Sequence, residues 1–183
     1  MSNPEKRKIV LFIACSLDGY IAGRDDDISW LFEDDDYGYK EFLSSVDTVL
    51  MGRRTYDLAL RMGPFPDADR DCYVFSRSLM GGDDNVEFVN QPVNEFVSML
   101  REKDGLDIWL VGGSELIDPF MKGHLIDEFI ISIHPVLLGE GIPMFRPGFP
   151  MQTLSLEGST TFPSGLIQVR YLQGDLKVKS GRG

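Results

Sequence analysis

Trp109–Leu116 reads WLVGGSEL. The apolar run from Ile108 to Val111 stops at two glycines, and a helical pattern begins at once. A buried strand that feeds a helix through Gly112-Gly113 leaves main-chain N–H groups bare at the helix start. The helix dipole adds positive potential there, so an anion such as a pyrophosphate is the natural guest. The spacing is not GxGxxG, so the common dinucleotide fingerprint is absent. A tight turn without a ligand is the competing reading of this junction taken alone.

Outward from the junction, apolar runs alternate with helical patterns. Lys8–Cys15 (KIVLFIAC) is a nearly continuous apolar run and reads as a central strand buried on both faces. Further strands are expected at Val46–Met51, Cys72–Phe75, Val86–Val89, Asp107–Val111 and Ile126–Ile133. Helices are expected at Asp34–Ser45, Arg53–Met62, Val93–Lys103 and Ser114–Met121, with Gly63-Pro64-Phe65-Pro66 breaking the second. Thr153–Thr161 and Leu166–Gln173 close the chain as a hairpin about Pro163-Ser164-Gly165. Strands alternating with helices imply an α/β fold with a mostly parallel sheet, helices on both faces and an antiparallel edge at the hairpin. Ligands of such sheets lie beyond the carboxyl ends of the strands.

The 183 residues suit one domain with a full-sized core. Lys+Arg 18 against Asp+Glu 29 gives a net charge of −11, which disfavours nucleic acid and anionic membrane as partners. A local basic pocket still accommodates an anionic cofactor, because distant charges are screened over about 10 Å. Cys15 and Cys72 have no paired spacing, and His124 and His134 are the only histidines. A disulfide framework and a metal site are therefore not expected, and a cytoplasmic location is.

Several polar loops fall where ligands are expected. Met51–Tyr56 (MGRRTY) puts Gly52, Arg53, Arg54 and Thr55 at a helix start, where N–H groups, the hydroxyl and a guanidinium suit a phosphate. An ordinary cap with solvated arginines is the alternative. Val74–Ser78 (VFSRS) places Ser76 and Arg77 past a strand end, which suits a phosphate monoester such as the 2′-phosphate of NADPH, or else is a surface turn. Cys15–Gly23 (CSLDGYIAG) is a turn whose small apolar residues suit a flat ring, with Asp18 a turn residue before it is an acid catalyst. Glu33–Asp36 (EDDD) reads as a solvated helix start, from which Asp36 is the carboxylate best placed to reach a substrate amine. Ser132 is a candidate substrate contact, while His134 reads as a hydrogen-bonded structural histidine before a proton donor. Trp30, Tyr20, Tyr37, Tyr39 and Phe145 read as packing. The loop Leu137–Phe145 exposes apolar residues suited to a dimer contact or a lid.

Taken in order, SLDGYIAG, SWL, VLMGRRTYD, VFSRS, WLVGGSELI and HPVLLGEGIPMF resemble the dihydrofolate-reductase-like superfamily. The nearer branch is the reductase domain of bacterial riboflavin biosynthesis and its stand-alone relatives. The resemblance implies a three-layer fold on a central mixed eight-stranded sheet over residues 8–173, between a flexible N-terminus (1–7) and a polar tail (174–183). It implies NADPH as hydride donor. Gly52, Arg53, Arg54 and Thr55 would meet the phosphates and adenosine side, and Ser76 and Arg77 the 2′-phosphate. Val111, Gly112, Gly113, Ser114, Glu115 and Leu116 would line the pyrophosphate and nicotinamide side. Ala14, Ile21 and Ala22 would flank the nicotinamide, and Ser132 would face the substrate. Trp30 follows Ser29 where folate reductases carry a Pro-Trp pair, and the zinc deaminase pattern H-x-E…P-C-x-x-C is absent.

The expectation is thus an oxidoreductase using NADPH to reduce a small C=O or C=N compound, with a 5-amino-6-(5-phosphoribosylamino)uracil-type substrate within reach. Asp18, Asp36 and Ser132 are the candidate catalytic groups. The alternatives are a dihydrofolate or pterin reductase and a non-catalytic nucleotide-binding protein that kept the fold. A homodimer is expected.

Overall fold

The computed structural model describes residues 6–63 and 69–174. In chain order the elements are β1 (Ile9–Ser16), β2 (Tyr20–Ala22), α1 (Tyr39–Ser44), β3 (Val46–Gly52), α2 (Arg53–Met62), β4 (Asp71–Phe75), β5 (Gly81–Gly82) and β6 (Glu87–Val89). Then follow α3 (Val93–Arg101), β7 (Asp107–Gly112), α4 (Ser114–Lys122), β8 (Glu128–His134), β9 (Ile142–Pro143), β10 (Leu154–Thr161) and β11 (Ile167–Gln173).

The main sheet has nine strands in the order β10-β11-β8-β1-β7-β3-β4-β6-β5. The run from β8 to β6 is parallel, and both ends are antiparallel. All the expected strands form, and the expected count of eight is one short. The ninth strand is Gly81–Gly82, between the expected strands Cys72–Phe75 and Val86–Val89. Two glycines carry no side-chain alternation from which a strand is read. The hairpin closes as expected, with Gly165 N–H donating to the Phe162 carbonyl at 2.9 Å.

Period-two alternation builds two cores from one strand. Ile9 and Leu11 of β1 join Phe96, Leu100, Ile117 and Phe120 on the side of α3 and α4. Val10 and Phe12 face Phe42, Tyr56 and Trp109 on the side of α1 and α2. A strand covered on both faces needs apolar residues at every position, which is why KIVLFIAC shows no alternation in hydropathy. Each side chain fully buried this way contributes about 1.5–3 kcal/mol.

Helix α1 is shorter than expected. Tyr37 (φ 50) and Gly38 (φ 77) are left-handed, so the helix starts at Tyr39 rather than Asp34. The acidic run therefore lies in a turn and not in a first helical turn. The loop Leu137–Phe145 is also corrected. Leu137 is 70% exposed, but Met144 is buried and Phe145 packs on the core. Its segment Ile142–Pro143 pairs with Tyr20–Ala22 as a second, two-stranded sheet. Gly141 passes so close that a Cβ there would lie 2.1 Å from the Ala22 carbonyl oxygen, so only glycine fits. No helix among the described residues is long and apolar enough to cross a membrane. The expected break at Pro64–Pro66 and most of both expected tails lie outside the described residues.

Candidate functional site

Sheet register lines up the carboxyl ends of the parallel strands. Ser132 on β8 is the Cα partner of Ala14 on β1. Gly112 on β7 partners Met51 on β3, and Gly52 at the end of β3 partners Phe75 on β4. A trench crosses these ends as three adjoining clefts. The first, about 220 Å³, holds Ser76 and Arg77 and shares Gly52, Glu115 and Leu116 with the second. The second, about 320 Å³, is walled by Ile21, Ala22, Thr55, Val111, Gly113 and Ser114. It shares Ala14 and Leu31 with the third, about 370 Å³, which holds Asp36, Ser132 and His134.

The glycine junction is the centre of the second cleft. Gly113 N–H donates to Thr55 Oγ1 at 2.8 Å, which ties the start of α4 to the start of α2. The Gly112-Gly113 peptide is cis. A Cβ on Gly113 would lie 3.3 Å from Thr55 Oγ1, so the two helix starts meet because a side chain is missing. Neither helix has a side-chain cap, since Gly52 and Gly113 occupy the cap positions. Their first N–H groups have no intrahelical acceptor. Ser114 is 3% exposed, and its hydroxyl has no hydrogen-bond partner among the described residues. A buried hydroxyl without a partner, beside a helix start that has no side-chain cap, fits an oxyanion.

The arginines divide. Arg54 lines the second cleft, where Asp26 holds it at 2.7 Å. Arg53, expected at the phosphates, turns away. It pairs with Asp57 at 2.7 Å and lies 5.5 Å over the Phe88 ring, because the next helical turn offers a carboxylate at i+4. Arg146 reaches the cleft mouth and pairs with Glu115 at 3.0 Å. In the first cleft, Ser76 Oγ accepts the Leu79 N–H at 3.1 Å and holds the loop that carries Arg77. Among the described residues, Arg77 makes no ion pair.

The third cleft separates candidates that sequence placed together. Ser132 is buried, and its Oγ accepts Gln168 Nε2 at 3.0 Å, which leaves the hydroxyl hydrogen free to donate. Asp36 lines the cleft while its Oδ2 accepts the Lys40 N–H at 3.2 Å. Asp18 is outside all three clefts. Its carboxylate accepts the Ser16 hydroxyl at 2.6 Å and the Gly139 N–H at 2.7 Å, clasping the loop after β8. Those bonds, the Ser16 hydroxyl first, hold its pKa below the usual carboxylate value. These bonds make Asp18 a clasp on that loop, where a turn residue or an acid catalyst was expected. His134 Nε2 accepts the Phe32 N–H at 3.2 Å, and burial lowers its pKa, so it carries no proton on the nitrogen that anchors the loop. Burial, with Asp18 nearby, pushes the Cys15 thiol up to about 11, which removes it as a nucleophile.

Residues 7–168 match the family model described as RibD C-terminal domain. The chain belongs to that family. The uncharacterized protein YwjB of Bacillus subtilis is 43% identical over 173 residues, 92% of this chain and 99% of that protein. A crystal structure described as a putative riboflavin biosynthesis protein from Shewanella sp. PV-4 superposes with a TM-score of 0.83 at 29% identity, covering 92% of this chain and 99% of that one. A dihydrofolate reductase from Enterococcus faecalis, solved with NADP(H) and RAB-propyl, superposes with a TM-score of 0.69 at 15% identity, covering 92% and 97%. At that identity the last likeness is one of fold. The RibD C-terminal domain chain described here thus has the dihydrofolate-reductase-like fold.

Sequence reading missed Arg146, Asp26, Leu31 and Phe32, which reach the clefts from loops. It also read Tyr37 and Tyr39 as packing only, and both line the third cleft. Arg146 follows a Gly/Pro-rich stretch with no periodicity, so nothing local tied it to the glycine junction.

Proposed function

We propose that this protein is an NADPH-dependent reductase of a small compound carrying a C=O or C=N bond. The observation that carries this reading is one continuous trench with Arg77, which makes no ion pair among the described residues, at one end and the glycine junction, without a side-chain cap, in its middle. An elongated dinucleotide with a terminal phosphate monoester matches that order of groups. NADPH would supply a hydride to the electrophilic carbon, while a proton reaches the oxygen or nitrogen. Ser114 would hold the pyrophosphate through its partnerless hydroxyl, with Gly52 and Gly113 leaving room for it and Arg54 and Arg146 as counter-charges. Ser76 and Arg77 would take the 2′-phosphate. Ala14, Ile21 and Ala22 would seat the nicotinamide against β1 and exclude water from the reacting face. The Ser132 hydroxyl orients the substrate, and Asp36 is the carboxylate placed to relay the accompanying proton from solvent.

Calorimetry with NADPH at low millimolar concentration tests the reading, and absence of binding sinks it. The aromatic third cleft with Asp36 on its wall favours a pterin or folate reductase as a second reading. Competition by methotrexate separates the two. Self-association as a homodimer belongs to the same proposal, supported by Leu154, Leu156 and Ile167, which stand exposed on the outer hairpin.

A further inference from the structure

Leu31 lines both the second and the third cleft, and Phe32 lines the third. Neither belongs to a strand or a helix. The loop that carries them bonds to itself. Trp30 Nε1 donates to the Asp27 carbonyl at 3.1 Å, and the Leu31 N–H donates to the Ile28 carbonyl at 3.1 Å. Among the described residues, one hydrogen bond ties residues 30–32 to the sheet. It runs from the Phe32 N–H to Nε2 of His134 at 3.2 Å. The His134 ring is 3% exposed and meets Trp30 and Phe32 in edge contacts, with centroids 5.2 and 4.9 Å away. Its other nitrogen, Nδ1, faces the Ser132 carbonyl at 3.4 Å. A lone pair on Nε2 for Phe32 requires the proton on Nδ1, where that carbonyl faces it. One neutral tautomer thus serves both sides of the ring.

Resting on the reductase reading, we infer that His134 is a positioning residue: it hangs Leu31 and Phe32 from the strand that carries Ser132, sets the partition between the nicotinamide and substrate clefts, and releases that partition on taking up a proton. Protonation turns Nε2 from an acceptor into a donor. Two donors then face each other, and the Phe32 N–H loses its acceptor. Ala14 stays fixed in β1, so the Leu31 half of the partition is the half that yields. The titratable groups around the ring are Cys15 on β1, Asp34, Asp35, Asp36 and Tyr37 on the loop, and Tyr39 on α1. Burial pushes the Cys15 thiol up to about 11 and raises Tyr37, so both stay neutral where a histidine titrates. Burial also comes first at His134 and holds it below the ordinary 6.5, against the carbonyls of Ser132 and Cys15 and the charge of Asp34. The ring is therefore neutral, and the partition closed, at neutral pH. The contact joins residues 102 positions apart, so linear order does not display it.

Two variants and two probes test this in the purified full chain. His134→Phe keeps a ring against Trp30 and Phe32 and removes the acceptor, whereas His134→Gln offers an amide oxygen that does not titrate. The probes are NADP⁺, which carries the nicotinamide, and adenosine 2′,5′-bisphosphate, which stops short of it. By calorimetry at neutral pH, His134→Phe should weaken NADP⁺ by about two- to tenfold, what one hydrogen bond is worth. It should leave the bisphosphate unchanged, and His134→Gln should restore NADP⁺. As pH falls, the wild type should lose NADP⁺ affinity relative to His134→Gln, with the midpoint shown by the His134 ring resonances; the comparison cancels titration of the cofactor phosphates. Unchanged NADP⁺ affinity in His134→Phe overturns the inference, and so does equal weakening of both probes. Should that variant not fold, judged by its urea midpoint, the pH comparison decides, and no relative loss in the folded wild type overturns the inference. A wild type that binds neither probe removes the reductase reading instead. The inference is then judged by hydrogen exchange at the Phe32 amide, which should be faster in His134→Phe than in the wild type and His134→Gln; equal exchange in all three overturns it.

Discussion

Among the described residues Arg77 pairs with no carboxylate, in a chain of net charge −11, and it stands at the end of a cleft. A shielded charge-assisted bond is worth about 1.5–3 kcal/mol. Arg77→Ala should therefore weaken NADPH roughly ten- to hundredfold and leave NADH unchanged, as read by fluorescence titration of both cofactors. Glu115 acts in the opposite direction. It holds Arg146 at 3.0 Å, so Glu115→Gln should free that guanidinium and tighten NADPH by about two- to fivefold, the size expected of an exposed pair. His134 gives a pH signature. Its folded pKa lies below the ordinary 6.5, with burial as the first cause. The neutral ring contributes fully above 6.5, and that contribution is lost as pH falls from 6.5 towards the folded pKa, because the unfolded chain binds the proton first. The urea midpoint should fall over that window, and His134→Gln should flatten the fall. These side chains were legible unevenly. Arg77 and Ser114 follow strand ends directly, so spacing alone placed them. The pairing of Arg53 with Asp57 and the clasp made by Asp18 depend on which neighbour wins a charged group, which linear order does not fix.

Among the elements, strand β7 and helix α4 meet at a glycine that has no substitute. Gly112 has φ +107, and a Cβ there would lie 3.2 Å from Ile117 Cδ1. Gly112→Ala should cost about 1–3 kcal/mol through backbone strain, seen as a lower urea midpoint with an unchanged slope. Gly52→Ala is the control. Its Cβ would make ordinary contacts of 3.7–3.8 Å, so stability should hold while the cleft narrows. The central strands and α2, α3 and α4 were readable because apolar runs and helical periodicity are local signals. The pair β2–β9 joins residues about 120 positions apart through two or three hydrogen-bonded residues, and no local pattern encodes it. The shortened α1 turns on Tyr37 in a left-handed conformation, which a tyrosine seldom adopts.

For the whole molecule, the order of strands does what no single motif does. Six motifs spread over most of the chain become one trench because β8, β1, β7, β3 and β4 stand side by side. The outer strand β10 is exposed along nearly its whole length, a form of edge that other chains can pair with. If the homodimer uses it, Leu156→Lys should shift the mass read by light scattering to that of a monomer and leave NADPH binding intact. The wall between the second and third clefts is shared by Ala14 and Leu31. On the reductase reading, donor and acceptor compartments are thus divided at β1 by the Ala14 methyl group, with Leu31 closing the same wall from a loop. Ala14 then behaves as the insulation between two terminals. Thickening it to leucine should let each compartment fill separately while the current between them stops, since a displacement of about 1 Å costs roughly a hundredfold in rate.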